Sequence, residues 1–457
     1  MKKICISKTR FVKKALCVVF AAVMLLSFGC SKGEQTDQSA AIGGEADEIG
    51  MEVLSASDCL NLLNESNPES VKNVILLVGD GMSQSEIEMA KIMFADECSV
   101  SPGILAMESL MNVGENNTLC ATASNPEPDS ASGGTALACG YKSLRKYLGL
   151  DYEKNSVKNV VELAKEYSKS SGIVTNESIT DATPAAFTVH LSSRDDEKLV
   201  AQEQIVNSAA DIIIGGGSTV YTEATSAEYE EGVTYEQYMT SNNITWAKDW
   251  ESVQNYQTSD GSRLIATLKD DYFASYSDKP SLADMTAEAL SILSEDEDGF
   301  FLMVEGGAMD ESAHNADIVE TCHQIIEFDK AVVEAIRFAA GNPDTMIIVT
   351  SDHDTGGCML AEDAAAYIEA NQATNENVQA CVEYTEELSE KYGQDLTALE
   401  YRYTTIAHTN SNVPIYAYGY GTEIFNGSEV ETYQIGQAIG YAISGQSFGA
   451  ATATGLK

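Results

Sequence analysis

Three apolar β runs that end in acidic residues constrain this chain more than any other feature. Residues 72–78 (Lys-Asn-Val-Ile-Leu-Leu-Val) lack alternation, the pattern of a strand buried on both faces. That run leads into Gly79-Asp80-Gly81-Met82. Residues 300–304 lead into Glu305-Gly306-Gly307, and residues 345–350 into Ser351-Asp352-His353. Open α/β sheets bind ligands outside the carboxyl ends of their strands, so acids at those ends are placed for a ligand. Shorter strands are expected at 172–175, 211–214 and 413–418, and an amphipathic helix at 318–339. Strands alternating with helices predict an α/β fold with a central, mostly parallel sheet flanked by helices on both faces. Two polar stretches, about 218–262 and 362–400, read as surface insertions.

The first thirty residues do not belong to that fold. A basic n-region precedes an apolar run at 15–28, too short for a comfortable transmembrane span, and the segment ends Ser27-Phe28-Gly29-Cys30. This order resembles a bacterial lipoprotein signal with Cys30 as the lipidated residue. The protein is therefore expected to be exported, periplasmic or at the cell surface, and held to the membrane through the lipid alone. Residues 31–70 read as a flexible tether, and 71–457 as the catalytic domain. The leader carries six of the 27 basic residues and none of the 70 acidic ones, so without it the formal charge of −43 becomes −49. Such a surface repels nucleic acid, and no nucleic-acid binding is expected. Seven cysteines remain beyond Cys30, an odd number without a CxxC pair, so a thiolate zinc site is not expected.

The chemistry gathers around Pro128-Asp129-Ser130-Ala131-Ser132-Gly133-Gly134. A β-prone run at 118–123 leads towards it and an Ala-rich helical pattern follows at 132–139. Ser130 then sits at the turn into a helix, where free backbone N–H groups favour an anion, with Asp129 or Ser130 as N-cap. Of five histidines, His314 follows Asp310 at helical spacing, His353 follows Asp352, and His408 precedes a strand. With Asp80 and Glu305 they supply nitrogen and carboxylate ligands, a set that suits zinc beside a harder oxygen site for magnesium. His190 and His323 read as structural.

The motifs together resemble the alkaline phosphatase family: Gly79-Asp80-Gly81-Met82, Asp129-Ser130-Ala131-Ser132, Asp181-Ala182-Thr183-Pro184-Ala185, Ser193-Arg194, Glu305-Gly306-Gly307, Asp310 with His314, Asp352-His353 and His408-Thr409. The resemblance implies an α/β sandwich around a mixed sheet, a homodimer, two zinc ions and one magnesium ion. It implies Ser130 as nucleophile, with Asp310, His314 and His408 on the first zinc and Asp80, Asp352 and His353 on the second. It also implies a magnesium site of Asp80, Thr183 and Glu305, with Asp181 in or just behind it. Arg194 matches the phosphate-binding arginine, oriented by Asp129. The implied activity is hydrolysis of small phosphate monoesters through a phosphoserine.

Two positions depart from the family pattern. Ser83 stands where a glycine is common, and Glu311 where relatives carry Lys, His or Trp. The competing readings are a phosphodiesterase or sulfatase on the same metal scaffold, or a non-catalytic lipoprotein that scavenges phosphate or metal. The Ser130–Arg194 combination favours a monoesterase.

The leader generates the first test. Metabolic labelling with a fatty acid should mark the wild-type protein and leave Cys30→Ala unmarked. Unlabelled, fully soluble wild-type protein would reduce the segment to an ordinary cleaved signal.

Overall fold

The computed structural model describes residues 71–450 apart from 123, 372–380, 382–384, 386 and 394. The leader, Cys30 and the tether lie outside the described residues. The expected α/β architecture is present: ten strands form one sheet among them. They are β1 (Asn73–Gly79), β2 (Asn112–Asn117), β3 (Ser170–Ser178), β4 (Ile212–Gly216), β5 (Ile244–Ala247), β6 (Arg263–Thr267), β7 (Phe300–Gly306), β8 (Thr345–Thr350), β9 (Val413–Tyr418) and β10 (Glu429–Glu431). Across the sheet the order is β10-β2-β9-β8-β1-β7-β3-β4-β6-β5. Every pairing is parallel except those of β9, which runs antiparallel to β8 and β2.

The unbroken apolar run in β1 is explained by burial of all seven residues, because helices cover both faces. Val74, Leu76 and Val78 point into one core with Leu137 and Ala138 of α2 (Ser130–Cys139), Val160 of α3 (Val160–Glu166) and Ile435 of the C-terminal helix Thr432–Ser444. The other layer holds the helices α1 (Gln84–Met93), Leu282–Leu293 and Ile318–Gly341, the last of which packs on both of the others. The last of these buries the predicted face, Cys322, Ile325, Ile326, Val332, Val333, Ile336 and Ala339. Its Asp329 is buried too, and accepts the backbone N–H groups of Ala106 and Met107 at 2.9 and 3.0 Å. That pairing offsets the cost of taking a carboxylate out of water.

Two expectations need correction. Of the run expected at 118–123, the described residues 118–122 do not enter the sheet, since the N–H groups of Cys120 and Ala121 bond to Pro126 and Ser143 in the neighbouring loop. The strand lies earlier, at β2, where Asn-Val-Gly-Glu-Asn-Asn looks too polar for a strand. The stretch 218–262 is not a plain insertion: it forms helices Ser218–Thr225, Tyr235–Ser241 and Trp250–Gln254 and supplies β5, the outermost strand. A four-residue edge strand has too little apolar pattern to show through polar surroundings. The second stretch begins with a helix, Ala361–Asn371, and much of the remainder lies outside the described residues.

One polar strand residue ties this frame to the ligand end of the sheet. The buried Asn116 amide donates to the Ser351 carbonyl at 2.9 Å, and its oxygen accepts the Thr432 hydroxyl at 2.8 Å. Ser351 precedes Asp352. Asn116→Ala removes both bonds and leaves Thr432 and Ser351 with only their longer contacts to Asn117 and Thr350, at 3.2 and 3.5 Å, and should lower the unfolding free energy by about 1–3 kcal/mol. The half-buried neighbour Asn117→Ala should cost under about 1 kcal/mol. Urea unfolding of the two variants checks this, and equal effects would contradict it.

Candidate metal centre and nucleophile

Four adjacent parallel strands deliver their carboxyl ends to one place. Val78 pairs in register with both Thr350 of β8 and Glu305 of β7, and Glu305 pairs with Thr175 of β3. Asp80, Asp352, His353 and Glu305 therefore emerge side by side. Asp181 and Thr183 follow β3 on the short helix Ala182–Ala186, and Asp310 and His314 share a face of the helix Ala308–His314 that follows β7. His408 arrives by a two-residue pairing with Thr355. Gly81 adopts a φ of 75°, and a Cβ there would lie 2.8 Å from Asp310 Oδ1, so only glycine lets these segments close.

The nucleophile candidate lies against this cluster. Ser130 opens α2 and is buried, with its Oγ 3.2 Å from His353 Nε2. Asp129 is the N-cap, accepting the Ser132 N–H at 3.0 Å while Ser132 Oγ donates to the Asp129 carbonyl at 2.9 Å. The first helical glycine is needed for contact: a Cβ on Gly133 would stand 2.8 Å from the Asp352 Cβ. Helix α2 thus presents its first turn directly to the Asp352 strand end.

The three imidazoles are held in one tautomer. His314 Nδ1 donates to the Ile406 carbonyl at 2.7 Å and His408 Nδ1 to the Pro128 carbonyl at 2.9 Å. The Thr355 hydroxyl donates to Asp310 Oδ1 at 2.5 Å, so it can only accept from His353 Nδ1, 3.2 Å away. Each Nδ1 is thereby committed, which leaves Nε2 as the nitrogen turned to the centre, as in imidazoles that ligate metal through one nitrogen. His314 Nε2 and His408 Nε2 face each other at 3.1 Å, and His314 Nε2 lies 3.2 Å from Asp310 Oδ2. His353 Nε2 is 3.3 Å from Asp352 Oδ2 and 3.5 Å from Asp80 Oδ1.

Ligand atoms converge in two groups, Asp80 with Asp352 and His353, and Asp310 with His353 and His408, each within 4.8 Å. The first trio is the one expected. In the second, His353 stands between the groups, while His314 reaches the expected partners Asp310 and His408 through the distances above. Asp80 Oδ1, Asp352 Oδ2 and Glu305 Oε1 are buried without a hydrogen-bond partner. Oxygens and nitrogens gathered in this way fit divalent cations.

The electrostatics tell the same story. Burial, then the charges of Asp352, Asp310 and Glu305, push Asp80 far above the carboxylate range. Burial and Asp181 push Glu305 up to about 8, and burial and Asp310 push Asp352 up to about 7. Burial also works against Asp310, but His314, His408 and His353 hold it well below the usual range. His314 rises to about 9, since Asp310 overcomes its burial, whereas burial and His408 hold His353 far down.

Two further placements matter. Thr183 Oγ1 donates to Asp80 Oδ2 at 3.2 Å, beside Glu305. Arg194 does not pair with Asp129 as expected: its Nη2 donates to Asp181 Oδ1 at 2.6 Å. Both Asp129 carboxylate oxygens are taken, one by Ser132 and the other by the Lys146 N–H at 2.9 Å. Lys146 in turn accepts the Arg194 N–H, so Asp129 orients Arg194 through backbone. Asp181 therefore stands behind the cation ligands as the partner of Arg194. Ser83 caps helix Gln84–Met93, which explains that departure. Glu311 is exposed at the rim of a cavity of about 550 Å³ with Tyr272, Asn315 and Lys391. His190 bonds Gly149 and Glu162, and His323 stacks between Phe94 and Tyr276, so both are structural.

Thr355 and Thr175 went unrecognised in the sequence. Thr355 lies two residues beyond His353, and Thr175 donates to Glu305 from the end of β3. A hydroxyl at the carboxyl end of a buried strand was the available signal.

A model of the alkaline phosphatase family matches residues 71–444. The chain is 28% identical over 421 residues to alkaline phosphatase 4 of Bacillus subtilis (strain 168), covering 78% of this chain and 86% of that one. It is 28% identical over 420 residues to the alkaline phosphatase of Escherichia coli (strain K12), covering 81% and 86%. The alkaline phosphatase of the Antarctic bacterium TAB5 superposes with a TM-score of 0.66 at 27% identity, covering 83% of this chain and all of that one, and a mutant of it has Mg bound in its M3 site.

The tautomer lock supplies a test. Thr355→Val should weaken metal binding by about 10- to 100-fold, probed with Zn²⁺ against a chromogenic chelator. Unchanged Zn²⁺ affinity would contradict the lock.

Proposed function

Because the chain belongs to the alkaline phosphatase family, we propose that it hydrolyses phosphate monoesters through a covalent phosphoserine on Ser130. The observation that carries this reading is the Ser130 hydroxyl, buried at a helix N-terminus and 3.2 Å from His353 Nε2. A phosphate-scavenging protein has no use for a hydroxyl there. Two zinc ions are assigned to Asp310, His314 and His408 and to Asp80, Asp352 and His353, and one magnesium ion to Asp80, Thr183 and Glu305. Bound cations would neutralise charge on the attacking and leaving oxygens of the ester.

The chain's own residues then divide the work. The first turn of α2 offers N–H groups and a positive dipole end to the phosphoryl oxygens. Arg194 presents a planar fork to two of them, stiffened by Asp181 on one side and by the Asp129–Lys146 backbone link on the other. Ser130 Oγ forms the new bond to phosphorus as the bond to the ester oxygen breaks; the Ser130 hydroxyl gives up its proton to solvent, and the leaving oxygen takes one up to depart as the alcohol. Water then breaks the Ser130–phosphate bond, releasing inorganic phosphate and regenerating the hydroxyl. The same reading has an exported protein anchored through Cys30 and a homodimer, on the strength of the leader and of family likeness.

Ser130→Ala should lower kcat on a chromogenic phosphate monoester by roughly a thousandfold or more. Its zinc and magnesium content should stay near wild type. Wild-type kcat in the variant would sink the nucleophile assignment, and wild-type activity in excess chelator would sink the metal assignment.

A further inference from the structure

The ribbon that delivers His408 is two residues long on each strand: Asp354 pairs with Thr409, and Thr355 with His408. It bears on three ligands at once. His408 is one of them, and the Thr355 hydroxyl donates to Asp310 Oδ1 and accepts from His353 Nδ1. So short a pairing is not stable by itself. Part of its support is local, since Asp354 is buried and its Oδ2 accepts the Thr409 hydroxyl, while the Thr355 N–H donates to the Gly81 carbonyl at 3.0 Å.

The rest comes from a residue outside every motif. Glu86 of α1 is only 1% exposed. Its Oε2 accepts the Ser83 N–H at 2.8 Å and the Ser83 hydroxyl at 3.0 Å. A capping box needs nothing more from a glutamate. Yet Oε1 accepts the hydroxyl of Tyr403 at 2.8 Å, from 317 residues further along the chain. Tyr403 in turn closes on Gly356, where φ is 82° and a Cβ would stand 2.3 Å from the tyrosine Cδ1. The Gly356 carbonyl accepts the N–H groups of Thr404 and Thr405 at 3.0 and 3.1 Å, and its own N–H donates to Ala407 at 3.0 Å. Glu86 therefore ties together the turn that follows Asp80, the end of the 354–356 strand and the approach to His408.

The Ser83 hydroxyl is also within hydrogen-bonding reach of Asp354. A glycine, common in the family at this position, would leave Asp354 without that link to α1. Burial, and then the charge of Asp354, push Glu86 up to about 8, so near neutral pH it serves as an uncharged acid. A buried acid with both oxygens bonded avoids most of the cost of leaving water.

We propose that Glu86 is a positioning residue for the cation on Asp310, His314 and His408: through Tyr403 and Ser83 it fixes the ribbon so that His408 and Thr355 stand against Asp310. This rests on the assignment of that site under the proposed function. Glu86 bonds to none of the ligands and acts through the ribbon alone.

The test titrates the zinc-loaded protein with a chromogenic chelator at pH 7. Tyr403→Phe removes one hydroxyl and leaves the capping box whole. It should give up one zinc ion at least about tenfold more readily than wild type and keep the other. Glu86→Ala should do the same, whereas Glu86→Gln, the uncharged isostere, should stay near wild type. Should Glu86→Ala not fold, the other two variants carry the test. Wild-type zinc retention in Tyr403→Phe overturns the proposal and leaves Glu86 as a helix cap. Equal loosening of both ions in Tyr403→Phe overturns it as well, since that reports a general loss of structure. No zinc uptake by the wild type overturns the site assignment together with the proposal.

Discussion

Mutual repulsion inside one buried cluster is the constraint on which this structure depends. Four parallel strands and the segments that follow them bring Asp80, Asp310, Asp352, His314, His353 and His408 together, with the three acids and His353 buried. Folding of the bare chain meets that repulsion by protonating carboxylates, which is why burial and neighbouring charge lift Asp352 and Glu305 out of the acidic range. Cations remove the conflict without protons. The sheet therefore acts as a rigid frame that forces like charges together, and the stability of the frame is bound up with what fills it.

The rigidity comes from ordinary packing. Strands buried on both faces cannot slide by one residue without turning core side chains to the wrong layer. Register then fixes where each ligand emerges, and Asn116 adds a hydrogen-bonded tie from β2 to Ser351. Helix α2 depends on the same frame. Gly133 lets its first turn touch the Asp352 strand end, and Asp129 spends both carboxylate oxygens on that turn and on Lys146. Asp181 takes over the ion pair to Arg194 that Asp129 cannot make.

Much of this was legible in the sequence because the central strands are strongly patterned. Residues 345–350 and 413–418 form strands with the expected bounds, and the long helix from Ile318 runs two residues beyond Ala339. The acids and histidines stood out because they follow apolar runs directly. What stayed hidden was polar structure with weak periodicity. β2 is built from Asn, Glu and Gly, and β5 is four residues long inside a Glu- and Tyr-rich stretch. In the site, Thr355 and Thr175 act through hydrogen bonds that only the fold creates. Which acid pairs with Arg194 is likewise decided by side-chain direction, since Asp129 and Asp181 are both near enough in charge to act on it.

Unfolding of the chelated and the metal-loaded protein as a function of pH tests the central claim most directly. Asp352, Glu305 and His314 have folded-state values raised to about 7, 8 and 9. A group raised on folding stabilises the fold below its unfolded value and loses that contribution as pH rises through its folded value. Between about pH 6 and 9 the chelated protein should therefore unfold at falling temperature, the contribution of Asp352 being lost by about pH 7, that of Glu305 by about 8 and that of His314 by about 9. The metal-loaded protein should hold its midpoint across that window and stand of order 5 °C or more above the chelated form. Coincident midpoints, flat with pH in both forms, would mean that the buried cluster is not held together by cations.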